Sequence, residues 1–510
     1  MKKKTNLLLT ATAVYFLLLL LLRAVEARSE VSTIRTLGDA LWYSIVTMTT
    51  VGYGDLTPVT LPGRFIGLLF ALCSIGILTA LIGIGISLFT SEHLPRLLLW
   101  RQREREWFVF DEENLDASAL ANALLQEDAT RVMIFPASGG QGSSFSTVRL
   151  KNPEKLLERS YAGKKGVQFL YLSNDGWCNA ALAVEKARHG QQAVCMAGWV
   201  PEATVPGVQQ FSREDAMSRF YWQKHPLSRE ESVILLIGCG CCGSALLERA
   251  LLTNVFPAGR RITYHVFEDT AGFQRLHPEI VKAFCDGGTE EDRLCFHNGN
   301  WAEERELLAC ADRIILCADE DADNRSSCEA LARWFGREKN VHLRLWEAMP
   351  GVMCFGTREE ILTPEFVLRD AVNRRARAMH ERYRKGSPDA PAWEELNDFL
   401  RQSNITAADH LLVKARILLP DEDLTDLTRE VCSRAFERYR ELYDQKKEVF
   451  RELEHRRWMR FYQMYNWQAA SARDNARRRH PLLVPYDLLP DAEKEKDDHA
   501  WLILGEIAEG

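Results

Sequence analysis

The sequence predicts two membrane-spanning helices that flank a short re-entrant helix, then repeated strand–helix units of α/β type, then a mainly α-helical C-terminal module. Three observations carry that expectation: two long apolar runs before residue 90, a strand that runs straight into a glycine-rich loop near residue 238, and a charged, aromatic-rich helical pattern after residue 360. At 510 residues the chain is too long for one compact core. Lys and Arg number 64 against 71 Asp and Glu, a formal charge of −7, so there is no basic field to grasp nucleic acid and that partner is excluded. Thirteen cysteines are scattered, several inside apolar runs such as Ile315-Leu316-Cys317, a usage suited to a reducing cytosol. Cys239 and Cys242 form a Cys-x-x-Cys, but no second pair follows at a zinc-site distance, and they read as small residues in a tight turn.

Leu7 to Leu22 is almost wholly apolar, and Ala24 and Val25 extend it past Arg23, so residues 5–25 are predicted as a transmembrane helix. Lys2, Lys3 and Lys4 before it and the run Ala24-Val25-Glu26-Ala27 after it also imitate a cleavable signal peptide. The second apolar run decides between these readings. It extends from Phe65 to Phe89 and is closed by Pro95, Arg96, Arg101, Arg103 and Arg105. Cleavage would leave that span alone and export a cysteine-rich domain. Basic flanks on both outer ends place both termini in the cytoplasm of a multi-pass plasma-membrane protein, with the lipid bilayer as its first partner.

Between the spans, Asp39 to Thr50 reads as a short re-entrant helix anchored by Trp42 and Tyr43, and it leads into Thr50-Val51-Gly52-Tyr53-Gly54-Asp55. Non-helical backbone at membrane depth must be buried in protein or line a water-filled path. Rings of backbone oxygens from four copies of such a loop replace the water around a potassium ion. Thr50, Val51, Gly52 and Tyr53 are the candidate ligands of that permeant ion. The Thr50 hydroxyl would form the innermost ring, and Asp55 would put negative charge at the outer mouth. Gly52 and Gly54 tolerate the backbone angles that turn the carbonyls one way. The stretch from Leu41-Trp42-Tyr43-Ser44 through Asp55 to Pro58-Val59-Thr60-Leu61 and Gly63-Arg64 resembles the simple bacterial two-helix potassium channels. That resemblance implies an α-helical membrane pore and a homotetramer around it. Two positions depart from the family. Val46 stands where many members carry a buried acid that bonds to the filter aspartate, so that restraint is expected to be absent. The inner-helix hinge glycine falls on Ser74, which leaves Gly76, just beyond, as the candidate hinge.

After Trp107 the pattern changes to alternating strands and helices. Glu231 to Gly243 is an apolar strand entering Gly238-x-Gly240-x-x-Gly243, with a helix from Ser244. A second strand, Ile262 to Phe267, ends on Glu268 and Asp269, where an acid commonly receives a ribose hydroxyl. Strands at Arg313–Ala318, which ends on Asp319-Glu320-Asp321, and at Val341–Trp346 complete a Rossmann-like unit. Its crevice is bounded by Gly238, Gly240, Gly243, Glu268, Asp269 and Asp319, and a nucleotide such as NAD, ATP or ADP is the expected ligand. The acids at 319–323 otherwise read as a solvated loop rather than a calcium site. Strands at Trp107–Phe110, Arg131–Phe135, Val167–Leu172 and Ala193–Met196 echo this unit, but with Asp111-Glu112-Glu113-Asn114 in place of the glycine loop. Acids repel a pyrophosphate, so the first copy is expected to bind no dinucleotide in the standard way.

A potassium pore followed by tandem Rossmann units is similar in architecture to channels with regulator-of-conductance domains, whose cytoplasmic rings turn ligand binding into pull on the inner helices. In the last module, His480-Pro481-Leu482-Leu483-Val484-Pro485-Tyr486 and Glu493-Lys494-Glu495-Lys496-Asp497 resemble the ryanodine-receptor repeat domain. Trp458, Trp467, Tyr486 and Arg457 are its candidate ligand residues, against a plainer reading in which the aromatics are core and Arg456 and Arg457 a solvated face. His380-Glu381 is no zinc-protease helix, since Arg384 stands where the second histidine is needed. The expected domains are a pore at 1–103, a degenerate Rossmann-like unit at 104–228, a nucleotide-binding one at 229–360 and the repeat-like module at 361–510. No poised acid, base or nucleophile accompanies the crevice, so the chain reads as a ligand-gated channel and not an enzyme. The alternatives are gating by a signalling nucleotide or partner at the C-terminal module, with passive Rossmann units, and a membrane-tethered dinucleotide oxidoreductase.

Overall fold

The computed structural model describes residues 2–137, 144, 146–161, 164–197, 207–284, 288, 290–336, 339–350, 353–387 and 389–509. The chain divides into two compact units, Met1–Arg103 with Gln141–Leu150, and Glu104–Gly140 with Lys151–Gly510.

In the first unit, helices α1 (Lys2–Glu26) and α3 (Leu61–Leu88) enclose the shorter α2 (Leu37–Met48), and α3 continues through a π turn at Phe89–His93 into a helix at Leu94–Arg101. Leu19 and Leu22 of α1, Ala40 of α2, and Ile66 and Phe70 of α3 make a small apolar core with Ile34. Among the described residues of α1 and α3, many other large apolar side chains are exposed: Phe16 is 55% exposed, Leu61 83% and Phe65 63%. Among the described residues no helix is long and apolar enough to cross a membrane. Both expected spans contain residues whose side chains lie outside the described ones, at 1–12 and at 73–78, 80, 81 and 88. The hinge candidates Ser74 and Gly76 fall in that second group; the backbone at both is helical.

One carboxylate fixes the start of α3. Glu26, fully buried at the end of α1, accepts from the Ser32 hydroxyl at 2.6 Å, the Val59 and Thr60 backbone N–H groups at 3.0 Å each and the Thr60 hydroxyl at 2.6 Å. Thr60 in turn caps α3 by accepting from Gly63 N–H at 3.1 Å. A Cβ at Gly63 would stand 2.0 Å from the Glu26 carboxylate and would push it off its donors. The second half of the loop between α2 and α3 is thereby tied to the end of α1.

The second unit holds two parallel sheets. Strands β1 (Trp107–Phe110), β2 (Val132–Pro136), β4 (Val167–Tyr171), β5 (Gln192–Met196) and β6 (Val208–Phe211) lie in the order β2-β1-β4-β5-β6; the short β3 (Thr147–Leu150) is counted with the first unit. Strands β7 (Val233–Ile237), β8 (Thr263–Phe267), β9 (Arg293–His297), β10 (Arg313–Leu316), β11 (Val341–Arg344) and β12 (Cys354–Phe355) form a second sheet in the order β12-β11-β10-β7-β8-β9. Each sheet starts at its centre, moves outward to one side and then crosses to the other, which is the doubly wound topology expected for both copies. The glycine-loop helix begins at Cys241, three residues earlier than the pattern suggested.

The C-terminal module is helical around Asp398–Leu418, the 36-residue Arg429–Met464 and His499–Glu509. It shares a core with the sheets: Phe110, Leu236, Tyr264, Phe461 and Trp467 belong to one apolar cluster. Arg460, with no exposed surface, bonds to Glu290 at 2.6 Å and Asp292 at 2.7 Å across that junction.

Replacing Glu26 by alanine leaves the Val59 and Thr60 donors without an acceptor, and is expected to destabilise the purified full-length protein by about 3 kcal/mol, whereas glutamine, which keeps one acceptor oxygen, should lose much less. Chemical denaturation of the two variants in detergent checks this; equal losses would remove Glu26 from its structural role.

Candidate functional site

The loop after α2 is built from the helix outward. Thr36 accepts from Asp39 N–H while Asp39 accepts from Thr36 N–H, a capping box that fixes the start of α2. At its other end Thr50 N–H donates to Thr47 O, and the Val51 and Gly52 N–H groups both donate to Val46 O. The chain then leaves the helix with φ positive at Thr50 (59°), Gly52 (58°) and Gly54 (74°) but not at Val51 or Tyr53. That alternation brings successive carbonyls toward one side. Glycine adopts such angles freely, whereas a β-branched threonine there carries strain on the order of 1–3 kcal/mol. Among the described residues, no hydrogen bond reaches the carbonyl oxygens of residues 50–54. The negative end of the α2 dipole lies where this loop begins, which favours a cation.

Asp55 is not left loose by Val46. The Trp42 indole N–H donates to Asp55 Oδ2 at 2.9 Å, and the Trp42 ring lies parallel to Tyr53 with centroids 6.2 Å apart. One aromatic thus braces both Tyr53 and Asp55. The sequence reading took Trp42 only as an anchor; its indole N–H was the signal available.

The glycine loop leaves no room for a side chain at Gly238 or Gly243, and one at Gly240 would have to displace Asp319. A Cβ at Gly238 would fall 2.5 Å from the Ala318 backbone, at Gly240 2.3 Å from Asp319 Oδ2 and at Gly243 1.8 Å from Gly238 O. Asp319 Oδ2 accepts from Cys241 N–H at 2.9 Å and Oδ1 from Cys242 N–H at 2.8 Å. The first donors of the helix, which suit a pyrophosphate, are therefore satisfied by an internal carboxylate. Glu268 and Asp269 follow β8 with positive φ, 62° and 50°. Burial, reinforced by the neighbouring Asp269 and Asp323, holds the Glu268 carboxyl above its usual range. The reading of the acids at 319–323 as solvated needs correction for two of them, Asp319 as above and Asp321, which bonds to the fully buried Arg344 at 2.7 Å and to Trp346 N–H at 3.0 Å. Cys239 and Cys242 are buried free thiols; burial pushes Cys239 up to about 11 and Cys242 higher. Among the described residues no group of His, Cys, Asp and Glu is arranged to hold a metal ion.

In the first sheet the corresponding loop is held by side chains. Asp111 accepts from Leu172 N–H at 3.0 Å, and Asn114 caps the following helix through Ala117 N–H at 2.7 Å while donating to Leu172 O.

The four C-terminal candidates do not share one surface. Trp458 and Trp467 meet through Tyr462, at 4.3 and 5.0 Å between centroids, and through His480, at 5.0 and 6.2 Å. Tyr486 lies beyond His455 and donates to Glu448 at 2.9 Å. Arg457 is buried against Glu454 at 2.6 Å, and Glu454 also receives Lys414 at 2.7 Å. The solvated-face reading of Arg456 and Arg457 is thus overturned: Arg456 is buried too, donating to Phe256 O at 3.1 Å. Charges on a long helix look solvated until the fold buries that stretch.

Residues 5–91 match the ion channel family Ion_trans_2. The mouse (Mus musculus) potassium voltage-gated channel subfamily A member 5 is 41% identical over 75 residues, 14% of this chain and 11% of that protein. A voltage-gated potassium channel of Aeropyrum pernix is 46% identical over 65 residues, 13% of this chain and 22% of that one. The chain therefore spans about a ninth and about a fifth of these relatives. The matched family is one of ion channels, consistent with a chain that is not an enzyme. Among solved structures, the GsuK channel bound to ADP superposes with a TM-score of 0.33 at 14% identity, over 68% of this chain and 90% of that one. GsuK bound to NAD gives 0.32 at 12%, over 68% and 78%. Superpositions this loose assign neither ligand nor assembly to the present chain.

Beside the Lys414–Glu454–Arg457 group, burial and the charge of Glu454 raise Asp497 to about 7. The folded chain thus holds a proton that the unfolded chain releases near pH 4, so this residue's contribution to stability falls as pH rises from about 4 to about 7. Asp497→Asn should melt with wild type near pH 4 and progressively above it toward pH 8, by differential scanning fluorimetry; a pH-independent difference would show that Asp497 titrates normally.

Proposed function

We propose that the chain is a subunit of a tetrameric potassium-selective channel in the plasma membrane, gated by a nucleotide bound to its cytoplasmic domains. The observation that carries the reading is the run of five unbonded carbonyls at residues 50–54 on a backbone of alternating φ. One copy offers a single column of oxygens. Four copies around an axis offer rings, which replace the hydration shell of a potassium ion at Thr50, Val51, Gly52 and Tyr53. In this reading α1 and α3 are the bilayer spans, both termini are cytoplasmic, and the uncovered apolar side chains of α1 and α3 face lipid and neighbouring copies. The domains are then the pore at 1–103, regulatory Rossmann-like units at 104–228 and 229–360, and a ryanodine-receptor-repeat-like module at 361–510.

The ligand seat is the loop Gly238–Gly243 with Glu268, Asp269 and Asp319. A phosphate group arriving there competes with the Asp319 carboxylate for the Cys241 and Cys242 N–H groups, so binding moves Asp319 and with it the end of β10. The ligand shifts the pore only through its different affinity for the open and closed states. Force has a continuous covalent path, since α3 runs through Phe89–His93 and Leu94–Arg101 into β1.

Purified protein in liposomes should pass potassium and thallium far faster than sodium, and Gly52→Ala should abolish the flux because a side chain at φ 58° costs about 1–2 kcal/mol in each of four copies. Equal sodium flux would exclude selectivity. In the same preparation NAD, ATP or ADP should raise the melting temperature and Gly240→Asp should remove that rise; a rise that persists in the variant would exclude this crevice.

A further inference from the structure

The second unit carries an open cleft of about 840 Å³ whose walls come from three places: the linker between the sheets at 226–230, the loop after the glycine-loop helix at 254–260, and residues 413–424 of the C-terminal module. Two half-buried guanidiniums face it. Arg260 lies 3.6 Å over the Phe256 ring and donates to the Leu227 and Ser228 carbonyls, while its Nε is buried with no partner. Arg416 donates to Leu424 O at 2.6 Å and Gln223 O at 2.7 Å. Neither forms an ion pair with a carboxylate among the described residues.

Elsewhere in this unit buried arginines have a carboxylate: Arg219 has Asp409 at 2.8 Å, Arg249 has Asp215 at 2.6 Å, Arg313 has Glu231 at 2.7 Å and Arg460 has Glu290 at 2.6 Å. Removing a charge from water without a counter-charge costs several kcal/mol. The consequence appears in the titration of the two groups: burial lowers Arg260 and brings Arg416 down to about 10, whereas the more deeply buried Arg249 and Arg460 are raised by their carboxylates and Arg313 by Tyr221 and Glu231. The acids on the cleft wall are Glu230, Glu422 and Asp423, facing Arg229 as well. Glu422 is already engaged by Arg434 at 2.6 Å, and Glu230 and Arg229 are exposed. Asp423 acts on Arg416 only through space.

We propose that this cleft is a second ligand site, separate from the glycine loop, which binds a phosphate-bearing small molecule between Arg260 and Arg416. Carbonyl bonds position both guanidiniums, through Nη2 of Arg260 and through Nε and Nη2 of Arg416, and the Nη1 of each has no bond among the described residues, which leaves a donor and an uncompensated charge on each side for a doubly charged phosphate. A ligand there joins the sheet linker, the glycine-loop helix and the C-terminal module at one point, so it would couple all three.

The test uses the full-length protein with inorganic pyrophosphate as probe, at matched ionic strength against chloride. Hydrogen exchange in wild type should slow in segments 254–260 and 417–424, and the melting temperature should rise by about 3 °C at saturation. Arg260→Gln and Arg416→Gln should each weaken binding by about tenfold or more, whereas Gly240→Asp should leave it unchanged. Protection confined to residues 238–243, or a response that Gly240→Asp removes and the arginine variants keep, would return the anion to the glycine loop and overturn the second site. No response in wild type would overturn it outright. Should an arginine variant fail to fold, the wild-type exchange pattern alone still decides between the two loops.

Discussion

Five consecutive carbonyl oxygens without a hydrogen-bond partner among the described residues are the constraint to which the rest of the first unit answers. Residues 50–54 are exposed in the single chain, and a loop that withholds its oxygens from its own chain must be held in shape by other means. Here the holding is done around the loop rather than in it. The Val46 carbonyl takes the two N–H groups that lead into the loop, Trp42 grips Asp55 beyond it, and Glu26 secures the chain from Val59 onward. None of these grips uses a carbonyl of residues 50–54, which leaves the five oxygens without a bond among the described residues.

The second unit shows the same economy applied to charge. Buried cations are matched by carboxylates from distant parts of the sequence, as Arg460 is by Glu290 and Asp292, and these pairs weld the C-terminal module to the second sheet. Asp319 applies the principle to a helix end, standing on donors that would otherwise attract a phosphate. Where the matching is missing, at Arg260 and Arg416, the surrounding space is large.

Much of this was legible in the sequence. The strands at 233–237 and 263–267 declared themselves as apolar runs bounded by glycine or acids, and both sheets took the doubly wound order that the internal echo implied. The alternation of glycines at 52 and 54 predicted the positive φ found there, and threonine at 50 joined them against its own preference. What stayed hidden was long-range: the bond from Trp42 to Asp55, the gathering of donors on Glu26, and the burial of Arg456 and Arg457. None of these leaves a periodic trace, because each depends on two segments that only the fold brings together. The helix start at Cys241 was missed for a local reason, since cysteines beside glycines look like turn residues until Asp319 caps the N–H groups behind them.

The account rests on the oxygens of residues 50–54 closing into rings, and a density map of the purified full-length protein in potassium tests this most directly. The account predicts a fourfold assembly with a row of density on its axis level with Thr50, Val51, Gly52 and Tyr53, which fades when sodium replaces potassium. A monomer or dimer, or a fourfold ring whose axis is empty at that level in potassium, would contradict it.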